Sequence, residues 1–141
     1  MIEEGSLLYF DPFVFKNGAT PKAKYFIVLA NTDDGMMLAS LPTSKDHVPE
    51  DIEIERGPIN IPERNINAYV FDAGDMVTES FSFPRKTFVY GEQVDSYTEK
   101  DILSMSGNMT NLGVIKAELF ADLKACLKQA TNMKRKFAKL L

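Results

Sequence analysis

The chain has 141 residues, 45% of them hydrophobic and 26% charged. That is one core's worth of ordinary globular composition, and it excludes disordered and fibrous classes. The net charge of −4 divides unevenly: residues 112–141 hold seven Lys/Arg against Glu118 and Asp122, a net +5, and the other 111 residues carry −9. An acidic body of that kind makes a poor general-purpose nucleic-acid surface, because phosphate binding relies on clustered Lys and Arg. One cysteine, Cys126, and one histidine, His47, exclude an internal disulfide, a Cys₄ or Cys₂His₂ zinc module and an internal Cys–Cys redox pair.

In chain order, the opening Met1-Ile2-Glu3-Glu4-Gly5 is acidic and lacks the apolar core of a signal peptide. No run of about 18 uncharged apolar residues is found anywhere, so no membrane span is expected and no membrane partner. A cytoplasm of bacterial type, or another reducing compartment, is the expectation. Ser6–Phe10 reads as a first strand, bent or ended by Asp11-Pro12, with a loop at 16–21 marked by Asn17-Gly18. Tyr25–Ala30 is six consecutive apolar residues, a strand buried on both faces. Asn31–Gly35 supplies a hairpin turn, with Gly35 free to adopt positive φ, and Met36–Leu41 is the returning strand.

Residues 43–63 are polar and broken by Pro49, Pro58 and Pro62, with Ile52-Glu53-Ile54 alternating as a short edge strand would. Asn67–Phe71, Phe81–Phe83 and Thr87–Tyr90 are further strand candidates. Thr98 caps a short helix with acidic residues in its first turn, broken at Ser106-Gly107-Asn108. Leu112, Ile115, Leu119, Leu123, Cys126, Ala130, Met133 and Phe137 step by three or four residues, which predicts one long final helix capped by Thr110 or Asn111. Its far end outruns a small core, so Met133 and Phe137 point to a dimer contact or a frayed tail. The sum is a mainly β (β+α) fold: a small β-barrel over 1–97 and C-terminal helices over 98–141, within a single domain 1–141.

No Gly-rich phosphate loop is present, which removes kinase, P-loop and dinucleotide readings together. Thr43-Ser44-Lys45-Asp46-His47 holds the vocabulary of a triad, but neighbours in sequence do not face one another, and His47 reads as a polar loop residue. Cys126 on the apolar stripe reads as a small buried hydrophobe. The aromatics Tyr9, Phe10, Phe13, Phe15, Tyr25 and Phe26 fit either a sheet core or a base-stacking surface. The basic stretch 134–139 fits a solvated helix face, a contact with the acidic body, or an acidic or RNA partner.

Gly5–Pro12, the loop after it, the run Lys22-Ala23-Lys24-Tyr25 entering a hydrophobic second strand, and Leu41-Pro42-Thr43-Ser44 at the end of the third together resemble the MazF/PemK (Kid) toxin family over residues 5–45. The resemblance implies a compact SH3-like barrel, a homodimer, and an antitoxin protein that covers the RNA-binding face. It also implies metal-independent cleavage of single-stranded RNA, with no cofactor. Carried over by position, Lys24 stabilises the phosphorane, Thr43 or Ser44 positions it, and Lys22 and Tyr25 contact substrate. Phosphoryl transfer of this kind needs mainly positioning and electrostatic stabilisation. The family carries Arg-Pro where this chain has Lys24-Tyr25, and lysine lacks the bidentate fork of arginine. The alternative expectation is therefore a non-catalytic barrel of the same ancestry, an interaction or regulatory module.

Overall fold

The computed structural model describes residues 2–15, 18–41, 55–64 and 66–141. The chain runs β1 (Ser6–Phe13), β2 (Lys22–Thr32), β3 (Gly35–Ser40), β4 (Gly57–Ile61), β5 (Ile66–Phe71), β6 (Thr87–Tyr90), β7 (Val94–Thr98), α1 (Glu99–Met105), β8 (Met109–Val114), α2 (Ala117–Gln129) and α3 (Arg135–Ala138). It is mainly β, with helices at the C-terminal end. Two antiparallel sheets form, a five-stranded one in the order β7-β3-β2-β1-β8 and a three-stranded one in the order β4-β5-β6.

β2 lies at the centre of the larger sheet, as six apolar residues in a row require. Alternation sends Ile27 and Leu29 to one face and Phe26 and Val28 to the other. The first face joins Leu7, Met37 and Ala39 to Tyr69, Phe71 and Val89 of the smaller sheet and to Leu123 and Leu127 of α2. The second face joins Leu8, Phe10 and Leu38 to Ile102 and Met105 of α1. A bulge where Val28 and Ala30 pair with consecutive residues of β3 lets Leu29 and Ala30 both reach the first core.

α1 begins as its sequence predicts. The Thr98 hydroxyl accepts from the Asp101 amide at 3.1 Å, and the Asp101 carboxylate accepts from the Thr98 amide at 3.0 Å, a closed capping box. The hairpin at 33–34 also forms, with Thr32 paired to Gly35. Gly35, however, does not use positive φ: a Cβ there would run into the Tyr97 carbonyl of β7. The glycine is needed so that two backbones can approach.

The single long C-terminal helix is replaced by three elements. Thr110, Asn111 and Leu112 lie in β8, which pairs with β1, and Asn111 Oδ1 accepts from the Gly113 amide at 2.9 Å. Gly113 has φ 109°, a conformation that no helix contains. The helix starts only at Ala117, with Lys116 in the cap position and no side-chain cap bond, and α3 follows a turn. The burial implied by the stripe is nevertheless kept: Ile115, Leu123, Ala130, Met133 and Phe137 all enter the first core. Met133 and Phe137 are 8% and 4% exposed, so this chain covers its own stripe and they give no reason to invoke a dimer. β4, β7 and β8 carry no strong strand signal. The expected edge strand at 52–54 lies outside the described residues. Among the described residues, no helix is long and apolar enough to cross a membrane.

Candidate functional site

The end of the second face, where β2 begins, stays open. Past Phe26 the even-numbered positions of β2 become Lys24 and Lys22, so the strand that builds the core turns cationic as it leaves it. There an open groove of about 570 Å³ forms between β2, the turn at 91–93 and β7. Three lysines line it: Lys22 and Lys24 from β2, and Lys134 from the turn before α3. Lys134 is brought in because Met133 and Phe137, on either side of it in sequence, are buried in the core.

Lys24 is 8% exposed, and its Nζ donates to the Leu41 carbonyl at 2.8 Å. Burial, and then the neighbouring Lys22 charge, push its pKa below the ordinary lysine value. An ammonium has three N–H donors, so this bond fixes the head group and leaves two for a ligand. The Leu41 amide in turn donates to the Tyr25 carbonyl at 3.0 Å, so the end of β3 is tied to β2 from both sides. Lys22 is exposed.

Two carboxylates share the groove, Glu92 and Asp95. Asp95 Oδ1 accepts from the Ser96 amide at 2.8 Å. Glu92 stands on the tight turn Gly91–Gln93, and Gly91 is closed in by Asn132 Oδ1 and Met133. The aromatic part comes from Phe15, Phe26 and Tyr97. The Tyr97 ring meets Phe13 and Phe26 edge-on at 5.9 and 6.1 Å, and burial lifts its phenol to about 12.

Lys22 and Lys24 are thus brought together as their spacing suggests. Tyr25 is not with them. It points to the opposite face, 4.7 Å from the Tyr9 ring centroid and 5.4 Å from that of Phe83. Thr43, Ser44 and His47 lie outside the described residues. Cys126 is half-buried, its Sγ donating to the Ala68 carbonyl at 3.6 Å, with burial raising its pKa. Reading along the chain misses Glu92, Asp95, Tyr97 and Lys134. For Lys134 the signal was present, as a basic residue between two apolar positions of a stripe, but nothing said where the stripe would dock.

No family model, curated protein or solved structure matches the chain. The site must therefore be read from its own chemistry. It offers two exposed ammonium groups, a third held in place by a carbonyl, the part-buried Phe15 and Tyr97 at its border, and two carboxylates. Three ammonium groups against two carboxylates leave the groove net positive, a charge that favours an anion such as phosphate.

Proposed function

We propose that this chain is an RNA-cleaving, toxin-type protein of the MazF/PemK kind, and that the Lys22–Lys24–Lys134 groove is its single-stranded RNA site. The observation that carries the reading is the convergence of lysines from residues 22–24 and from residue 134 on one open groove. A local cationic cleft also answers the charge objection, because an acidic molecule can still bind phosphates where its few lysines are focused. In this reading Lys22 and Lys134 hold backbone phosphates. Lys24, already oriented by Leu41, directs its remaining donors at the non-bridging oxygens of the phosphate undergoing displacement, while Thr43 and Ser44, the hydroxyls the resemblance offers for positioning it, lie outside the described residues.

The test is incubation of purified protein with a long single-stranded RNA in EDTA. Wild type is expected to cleave, and Lys24→Met, which keeps the buried stem and removes the charge, to lose about 10²–10³-fold in rate, the usual effect of deleting one preorganised donor. Lys22→Ala and Lys134→Ala should each weaken binding and reduce the slope of log affinity against log salt by about 0.7. A thermal melt of each variant separates lost chemistry from lost folding.

A second reading is favoured by one observation, the use of the Lys24 ammonium on the Leu41 carbonyl. A strap of this kind, with lysine at the position where the family has arginine, suits a binding module without chemistry. RNA bound but left intact by well-folded wild type assigns the protein to that class. No binding of RNA at all rejects the first reading and leaves an interaction or regulatory module with a partner other than RNA.

A further inference from the structure

Resting on the RNA reading, we propose that the groove selects guanine, and that Glu92 makes the selection. A groove meant only for phosphates gains nothing from carboxylates, which repel them, yet Glu92 and Asp95 line this one beside three lysines. Their presence suits a ligand that also donates hydrogen bonds. A carboxylate has two acceptor oxygens and no donor. Among the four bases, the Watson–Crick edge of guanine alone sets two donors side by side, N1–H and the N2 amine. Adenine and cytosine pair one amine with an acceptor nitrogen, and uracil flanks its single N–H with two carbonyls. Guanine is thus the base that a carboxylate can grip with both oxygens.

Placement favours Glu92 over Asp95. Asp95 already accepts from the Ser96 amide, which holds it along β7. Glu92 is exposed and rises from the Gly91–Gln93 turn, whose position is set by the packing of Gly91 against Asn132 and Met133. Tyr97 and Phe15, both part-buried, border the groove where the base would sit, and Lys22 and Lys134 stand in the same groove for the phosphates on either side. Base and backbone would then be read by different walls of one cleft, which is how sequence selection and affinity are separated in nucleic-acid sites.

The experiment measures binding by fluorescence anisotropy with 2′-O-methyl oligouridylates, which resist cleavage, carrying one central guanosine, inosine, adenosine or cytidine. Guanosine is expected to bind about tenfold more tightly than adenosine or cytidine, with inosine, which lacks the N2 amine, well below guanosine. Glu92→Gln should erase the guanosine preference and leave adenosine affinity unchanged or slightly improved. Glu92 is exposed, so this variant leaves the core untouched. Equal binding of all four oligonucleotides overturns guanine selection while the RNA reading stands. A preference that survives Glu92→Gln overturns the role of Glu92. Guanosine monophosphate, added as competitor, separates the two sources of the base: equal affinity for the free nucleotide and the oligonucleotide keeps the selection and removes RNA as the substrate.

Discussion

Lys24 and Gly35 illustrate how a residue's meaning depends on what the fold brings to it. Lys24 stands between Lys22 and the buried Phe26 on one face of β2, and the Leu41 carbonyl accepts from its largely buried ammonium. Gly35 looks like a turn glycine, but it acts as a gap through which β3 and β7 meet. Gly35→Ala should therefore destabilise the protein by about 1–3 kcal/mol, the usual cost of overpacking, read as a lower urea midpoint with unchanged slope. An unchanged midpoint would show that β7 moves aside freely. Tyr69 makes a prediction of the opposite kind. Burial, then the hydrogen bond it donates to Asp122 at 3.1 Å, raise its pKa to about 12 from an ordinary value of 10. The folded state thus holds this proton where the unfolded state loses it, so the stabilisation is complete below pH 10 and fades between pH 10 and 12. Tyr69→Phe should flatten that alkaline decline in urea midpoints, though Tyr97, shifted for the same main reason, will keep part of it.

Among the elements, α1 is the one whose start is written most plainly. Its capping box is closed by two hydrogen bonds within four residues, Thr98 to Asp101, and needs no tertiary help. Thr98→Ala is expected to cost about 0.5–2 kcal/mol, and the loss should show in amide exchange of α1 before it shows elsewhere. Uniform loss of protection across both sheets would instead mean that α1 does not open separately from the sheet it covers. The C-terminal stripe teaches the reverse lesson. Its three- and four-residue spacing marked five buried positions, Ile115, Leu123, Ala130, Met133 and Phe137, which share one core, while Leu112, Leu119 and Cys126 are only partly buried and the fully buried Leu127 stands outside the positions read as the stripe. Spacing alone could not show that Met109–Val114 would pair with β1, because the partner strand lies about a hundred residues away in sequence. A hydrogen-bonded edge outweighs a weak local helix preference there, and Gly113 with its positive φ removes the helical alternative.

At the scale of the molecule, the two faces of the larger sheet divide the labour. One is sealed by the smaller sheet, α2 and α3, and the other is covered by α1 only part of the way, leaving the groove where β2 turns from apolar to basic. The proposed RNA and guanine sites both live at that uncovered end. They depend on an arrangement in which Lys134 arrives from the far end of the chain.

The mainly β class, the central hairpin of β2 and β3, the capped α1 and the lysine pair entering β2 were all legible in the sequence. Each depends on signals within a few residues: a continuous apolar run, a turn, a cap, an alternation. β4 was masked by Pro58, which an edge strand tolerates, and β7 by its polar, exposed alternation. The groove could not be read at all, because its walls come from β2, β7, the turn at 91–93 and the segment before α3. Sequence by itself determined which residues seek the interior and where charge begins. Only the tertiary structure decided that Tyr25 faces away from Lys24 and that Lys134 and Glu92 share its cleft, since those placements follow from sheet order and long-range packing rather than from local preference.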